Sequence, residues 1–250
     1  MSEPWLIAAA VDSEIRSIRS KLEGCLACPG LEGRVWEGTW KGVRVLLVRT
    51  GIGPDRAGRT LKGLVLPGSV VAVCSIGYAG ALKDAIQVGD LLIPAELLFL
   101  AGANPSRFEP DALLFKHACE TAQKGGWPFH TERMLTSDRV VSTEREKRDL
   151  GLRWQAGSVE MESSVAARLA FEAGVPFVAV RVALDELSFS LPDVSGFLRL
   201  WKGRHWRSAA AWIAKDPSRL LGLARLWRYS SVGSARLAAF LERFLDQWGS

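Results

Sequence analysis

Cysteine is scarce in this chain of 250 residues: Cys25, Cys28, Cys74 and Cys119 are all it has. Cys74 lies inside an apolar run and Cys119 on a segment of helical character, so only Cys25 and Cys28 form a CxxC. A zinc ribbon needs a second such pair, and these spacings make no disulfide framework. Cys25 and Cys28 are read as loop cysteines, and the usage fits a reducing cytoplasm. Histidine is scarcer still. His117, His130 and His205 stand apart from the acidic positions singled out below and are read as surface or capping residues. No uninterrupted apolar stretch approaches the ~20 residues that span a bilayer. The apolar start from Trp5 to Val11 has no basic stretch before it and runs into Asp12 and Glu14, which is not the pattern of a secretory signal. Motifs of several enzyme classes are also missing: there is no GxxxxGK[ST], no HExxH and no GxSxG. Gly51-x-Gly53 lacks the third glycine and the later acid of a dinucleotide fingerprint. No cofactor and no metal is implied.

What the chain does have is an ordinary globular balance, 48% hydrophobic and 24% charged residues. Its length suits one α/β domain with additions, large enough for a core without covalent staples. The net charge of +5 is unevenly placed. From Ser190 onward ten Lys and Arg face four acids, a surplus of six that leaves the first 189 residues at −1. The same tail holds Trp201, Trp206, Trp212, Trp227 and Trp248, five of the ten tryptophans. The division expected is therefore 1–190, an α/β catalytic domain, and 191–250, a basic, tryptophan-rich helical extension.

Periodicity predicts strands at Trp5 to Ala10, Ser69 to Ile76, Val88 to Ile93, Arg133 to Thr136 and Phe177 to Leu184. A hairpin is predicted around Lys41-Gly42. Helices are predicted at Ser13 to Leu22, capped by Asp12 or Ser13, and after Pro54. Others follow at Asp111 to Lys124, Thr143 to Leu150 and Ser163 to Ala173, the last closed by Gly174. Strands alternating with helices give a three-layer α/β/α architecture with a central mixed, mostly parallel sheet, plus the C-terminal helical extension.

Ligands of such sheets bind beyond the C-terminal strand ends. The polar and glycine residues there are Asp12 and Glu14, Thr50-Gly51-Ile52-Gly53, Ser75 to Gly80 (read as a glycine-rich turn), Glu160-Met161-Glu162 and Asp185. Carboxylates far apart in sequence thus meet on one rim. One carboxylate can accept hydrogen bonds from two vicinal hydroxyls while a carboxylic acid donates a proton, which suits a polyhydroxylated ligand with a protonatable leaving group.

Taken in order, these blocks resemble the nucleoside phosphorylase and nucleosidase superfamily. The blocks are Ala10 to Glu14, Thr50 to Gly53, Ser75 to Gly80 followed by Gln87 to Asp90, Val159-Glu160-Met161-Glu162, and Val175 to Asp185. They look most like methylthioadenosine/S-adenosylhomocysteine nucleosidases. They are closer still to the phosphorylase-like branch associated with hopanoid biosynthesis, to which Asp138 to Ser142, Glu146-Lys147 and Asp216 to Leu221 are also similar. The resemblance implies that adenine is removed from a 5′-substituted adenosine, adenosylhopane in that branch. By the same resemblance Glu14 would activate or position the nucleophilic water, and Asp185 would protonate or hydrogen-bond the purine at N7. Glu162 would hold the ribose hydroxyls, with Met161 against the sugar. Val140 and Val141 would line the base pocket, while Ala79 and Gly80 face the nucleoside. Gly51, Gly53 and Glu160 complete the implied binding set, and a homo-oligomer is implied.

Three departures matter. Ser75 stands where phosphorolytic relatives place a phosphate-binding arginine, which favours water over phosphate; Arg49 and Arg56 do not match that position. Tyr78 replaces a small residue near the sugar, and Leu184 replaces the serine before Asp185. The alternatives carried are phosphorolysis and a nucleoside-binding protein with little turnover. For the tail, one reading packs the faces Leu220, Leu223, Ala224, Trp227 and Leu237, Phe240, Leu241, Phe244, Trp248 on the domain or on a second subunit. The other places tryptophan and arginine on an anionic membrane surface, on the inner face of the cell membrane, where an apolar substrate would be reached. No nucleic-acid motif accompanies the basic residues.

Overall fold

A computed structural model of the chain describes residues 3–28, 34–100, 105–189 and 218–247, the last stretch with side chains from 227 onward. The order is β1 (Trp5–Ala9), α1 (Asp12–Arg19), β2 (Glu23–Ala27), β3 (Arg34–Trp40), β4 (Val43–Arg49), α2 (Pro54–Leu61), β5 (Ala72–Ala81), β6 (Leu91–Leu92) and β7 (Leu97–Phe99). Then come β8 (Ser106–Phe108), α3 (Ala112–Lys124), β9 (Phe129–His130), β10 (Met134–Thr136), α4 (Glu144–Trp154), β11 (Ser158–Glu160), α5 (Ser163–Ala173), β12 (Phe177–Asp185) and α6 (Ser218–Asp246).

One mixed sheet runs β2-β3-β4-β1-β5-β11-β10-β7-β8, with β12 also on β5, and β6 and β9 beyond β12. β1 is parallel to both β4 and β5, and β12 is parallel to β5. Helices cover both faces, so this is the expected three-layer α/β/α fold. Alternation along the strands divides the core. Trp5, Ile7 and Ala9 face one side with Val178, Val180 and Val182, under α1, α3 and α6. Leu6 and Ala8 face the other with Val73, Phe177 and Ala179, under α2 and α5. Both faces are apolar because both are covered, which is why these strands read as continuous apolar runs.

The C-terminal half of α6 belongs to the first of these cores. Leu237, Phe240, Leu241, Phe244 and Leu245 are buried there. Phe244 meets Trp5 edge-on and stacks on His117, whose Nε2 also lies 3.0 Å from the Phe244 carbonyl. His117 is thus a buried core residue and not the surface residue expected. Trp227, in contrast, is 76% exposed. Trp201, Trp206, Trp212 and Trp248 lie outside the described residues, as do His205 and the side chains of Leu220, Leu223 and Ala224.

Several element boundaries differ from expectation. The first helix stops at Arg19, and Glu23–Ala27 forms an edge strand on β3, so Cys25 sits in a strand and not a loop. Cys25 and Cys28 are both free. Neither Asp12 nor Ser13 caps α1. The Glu14 carboxylate accepts from the Ala10 and Val11 amides instead, and Asp12 pairs with Arg49. Ser75 to Gly80 is no turn but the middle of β5, which continues to Ala81 between β11 and β12. The strand expected at Val88 to Ile93 shrinks to two residues, because Gly89 at φ +93° and the Asp90 amide bonded to the Gln87 carbonyl make a turn there.

Candidate active site

The strand ends around β5 enclose a cavity of about 210 Å³. Glu14 reaches it from the first turn of α1, Tyr78, Ala79 and Gly80 from β5, and Val140 and Val141 from the loop before α4. Glu160, Met161 and Glu162 come from the end of β11, and Asp185 from the end of β12. The carboxylates that the sequence placed on one rim therefore share one hollow. Gly51 and Gly53 do not line it; Ile52 between them does. Their positive φ values, +84° and +97°, shape the turn, and the Gly53 amide donates to Glu162 Oε1 at 2.7 Å.

Glu14 is buried and held at both oxygens. Oε2 accepts from the Ala10 and Val11 amides at 2.8 and 2.9 Å, and Oε1 from the Tyr78 amide at 3.0 Å. This position demands glycine at 77, where a Cβ would sit 2.7 Å from Oε1 at φ +152°. Burial pushes the Glu14 carboxyl above its ordinary value, against the opposing pull of the backbone amides and of Arg181.

Arg181, in the middle of β12, is buried among protein acceptors: its NH2 donates to Glu160 Oε2 and to Ser75 Oγ, both at 2.9 Å, and its NH1 to the Val180 carbonyl at 3.3 Å. Its Nε is buried with no hydrogen-bond partner among the described residues. Glu160 is fully engaged by protein. Oε2 also accepts from the amides of Glu162 and Ser163 and from Ser163 Oγ, and Oε1 from Thr136 Oγ1 at 2.5 Å. Its carboxylate is spent on holding Arg181 and the turn into α5. Glu162 differs: the Gly53 amide is its one hydrogen-bond donor among the described residues. Burial, reinforced by the neighbouring Glu160, pushes its carboxyl up to about 8.

Asp185 is buried and its Oδ2 pairs with Lys147 of α4, a lysine with no exposed side-chain surface. Burial raises the Asp185 carboxyl above its ordinary value, while Lys147 pulls the other way. Gly80 makes room for it, since a Cβ there would lie 3.2 Å from Oδ2. The Tyr78 ring lines the cavity and its hydroxyl donates to the Ser230 carbonyl of α6 at 2.9 Å. Of the cations weighed for phosphate, Arg49 is tied to Asp12 at 2.6 Å, and Arg56 lays its methylenes along Gly51.

The arrangement joins two features: a buried carboxylate with backbone donors at one end of a hollow, and a second carboxyl with its own cation at the other. The sequence profile of the phosphorylase superfamily matches residues 7–213. The chain belongs to the phosphorylase superfamily. It is an enzyme of that superfamily's nucleosidase and nucleoside phosphorylase class. It is 28% identical over 204 residues to a 5′-methylthioadenosine/S-adenosylhomocysteine nucleosidase of Halalkalibacterium halodurans, covering 76% of this chain and 85% of that protein. A DeoD-type purine nucleoside phosphorylase of Colwellia psychrerythraea is 27% identical over 159 residues, 61% of this chain and 68% of that one. Among solved structures, the 5′-methylthioadenosine/S-adenosylhomocysteine nucleosidase of Neisseria meningitidis superposes with a TM-score of 0.77 at 19% identity. That match covers 98% of this chain and 99% of the other. It is a likeness of fold.

Within this superfamily member, sequence reasoning missed Arg181 and Lys147 as parts of the site. Arg181 left a signal: a guanidinium inside the apolar strand Phe177 to Leu184 must have buried acceptors. Lys147 left only the Glu146-Lys147 likeness, which says nothing of its place, because it lies among Glu144, Arg145, Glu146, Arg148 and Asp149, where nothing marks which charge is buried.

Proposed function

We propose that this chain is a hydrolytic purine nucleosidase that releases adenine from a 5′-substituted adenosine with an apolar substituent, adenosylhopane of hopanoid biosynthesis being the substrate the motifs favour. The observation that carries the reading is the single cavity shared by Glu14, Glu162 and Asp185. Cleavage builds positive charge on the sugar and negative charge on the base. Glu14 takes the proton of the attacking water, and its burial leaves it basic enough to do so. Glu162 accepts from the ribose hydroxyls, with Met161 beside the sugar. Val140 and Val141 flank the base, and Asp185 donates to N7. Glu160 and Arg181 hold the frame. Water is favoured over phosphate because Ser75 Oγ is already bound by Arg181 and Arg49 is tied to Asp12.

Adenine release from adenosine, methylthioadenosine and a long-chain 5′-alkyl adenosine, each with and without phosphate, tests the proposal. Phosphate-independent release, fastest with the long-chain substrate, is expected. Release only with phosphate makes the enzyme a phosphorylase, and binding without release removes the hydrolytic reading.

The proposal includes a membrane surface as the place of substrate uptake, supported by exposed Trp227 beside Arg228 and by the basic surplus of the tail. Full-length protein should sediment with anionic vesicles, less so at high salt, and Trp227→Ala with Arg228→Glu should weaken it. Protein left in the supernatant at low salt removes this part. A homo-oligomer also belongs to the proposal, supported by the exposed apolar side chains of Leu113, Leu152 and Phe171; a monomeric mass in sedimentation equilibrium would contradict it.

A further inference from the structure

Lys147 is a fully buried cation whose three ammonium hydrogens have three acceptors. Its Nζ pairs with Asp185 Oδ2 and donates to the carbonyl oxygens of Glu186 at 2.8 Å and Phe189 at 2.9 Å. That saturates the donors of a lysine. A buried ammonium is costly unless compensated, and here the compensation is one carboxylate and two carbonyls. The Asp185 partner is asymmetric: Oδ2 is bound, while Oδ1 accepts no hydrogen bond from the described residues. The carboxyl lies against Gly80 and faces the cavity. Lys147 also ties down the residues directly after β12, so the end of that strand is fixed by α4 at three points.

Among the described residues, nothing else near Asp185 does this work. β5 presents the uncharged Gly80, and Glu186 offers its carbonyl. Arg139 across the cavity is paired with Glu146, and the remaining cavity carboxylates, Glu14, Glu160 and Glu162, are held by their own donors.

We propose that Lys147 is the positioning residue of the leaving-group acid: it fixes Oδ2 of Asp185 so that Oδ1 addresses the departing base, and it is the counter-charge for the carboxylate that proton donation leaves behind. In the step this serves, the C1′–N9 bond breaks and its electron pair moves onto the purine. The proton of Asp185 passes to N7, leaving the O–H pair on the carboxylate beside the ammonium. Water oxygen bonds to C1′ and its proton goes to Glu14, and exchange with solvent resets both carboxyls. Lys147 therefore makes Asp185 a stronger acid than burial alone would allow, since an opposite charge in contact lowers a carboxyl pKa by about 1–3 units. The inference rests on the hydrolytic reading for its role in turnover, but the ion pair itself can be measured without turnover.

Two readouts decide it. In full-length protein with ¹³C-labelled aspartate, the Asp185 carboxyl, assigned by comparison with Asp185→Asn, should titrate about one pH unit or more higher in Lys147→Met than in wild type. In the adenine-release assay Lys147→Met should lower kcat by roughly 10-fold or more with little change in KM, and the falling alkaline limb of the pH profile should move up with the carboxyl. Placed on Asp185→Asn, which abolishes donation, Lys147→Met should have no further effect on release. If Lys147→Met does not fold, Lys147→Arg takes its place. With the charge kept, carboxyl titration and alkaline limb should stay at their wild-type positions while kcat falls through misplacement. An unmoved Asp185 titration in Lys147→Met, or a moved one in Lys147→Arg, overturns the proposal. Wild-type protein that releases no adenine speaks against the hydrolytic reading alone, because the carboxyl titration still decides the pair.

Discussion

At the scale of single residues, burial makes Glu14, Glu162 and Asp185 weaker acids than carboxyls are in water. Glu162 shows the consequence best. Its carboxyl, pushed up to about 8, keeps its proton in the folded chain at pH values where the unfolded chain, at the ordinary 4.5, has lost it. The folded state therefore binds more protons between about pH 4.5 and 8. Stability is fullest below that window and is lost as pH rises through it; Glu14 and Asp185 act with the same sign. Glu162→Gln removes one of these contributions. It should melt higher than wild type at pH 8, by roughly 2–4 °C for each kcal/mol relieved, with the gain vanishing near pH 4.5. Above pH 8, where the Glu162 carboxylate is ionised and can accept from two hydroxyls, nucleoside affinity should also fall in the same variant, since an amide accepts less well. Melting curves at the two pH values check this, and no gain at pH 8 would mean the buried carboxyl is not strained. The carboxylates were legible in the sequence because acids placed just past apolar strands have few structural reasons to be there. Their distant partners were not, since Thr136, Arg181 and Lys147 meet them only through the tertiary fold.

At the scale of elements, β5 and α6 meet through one close fit. The Tyr78 ring, tethered by its hydroxyl to the Ser230 carbonyl, lies where a Cβ at Gly233 would be 2.8 Å from its Cε1. Glycine inside a helix costs about 1 kcal/mol relative to alanine, so Gly233 is kept by its neighbour and not by helix propensity. Gly233→Ala should therefore destabilise the wild-type chain, yet stabilise a Tyr78→Ala background by up to about 1 kcal/mol. Denaturant midpoints of the four proteins give the coupling directly, and additive effects would dissolve the notch. The same pair shows why β5 was misread. Glycines at 77 and 80 look like a turn in one dimension, but they are strand positions from which a side chain is excluded by Glu14 and Asp185. Short β7, β8 and β9 went unseen for a simpler reason: two or three residues carry no period.

At the scale of the whole molecule, the question is whether the basic tail is an appendage. Its helical period was legible from Leu237, Phe240, Leu241 and Phe244, but period alone names no partner, and the partners are Trp5 and His117 from distant parts of the chain. Phe240 and Phe244 stack on each other in the same core as β1 and β12. Asp246 is hydrogen-bonded by Trp40 and Lys41 at the β3–β4 turn. Charge and composition mark 191–250 as different, but burial makes the second half of α6 part of the sheet's own packing. Phe244→Ala then removes a fully buried aromatic, at a cost of about 3–5 kcal/mol. It should lower the melting temperature of the entire protein by roughly 6–20 °C. Fluorescence of the tryptophans and far-UV circular dichroism should report one coincident transition. An appendage would behave otherwise: the helix signal alone would soften while the sheet melted where it does in wild type. For the same reason, lipid binding by the exposed turn at Trp227 has to be probed by substitutions there and not by cutting the chain, because a cut before α6 takes Leu237, Phe240 and Phe244 out of the core along with it.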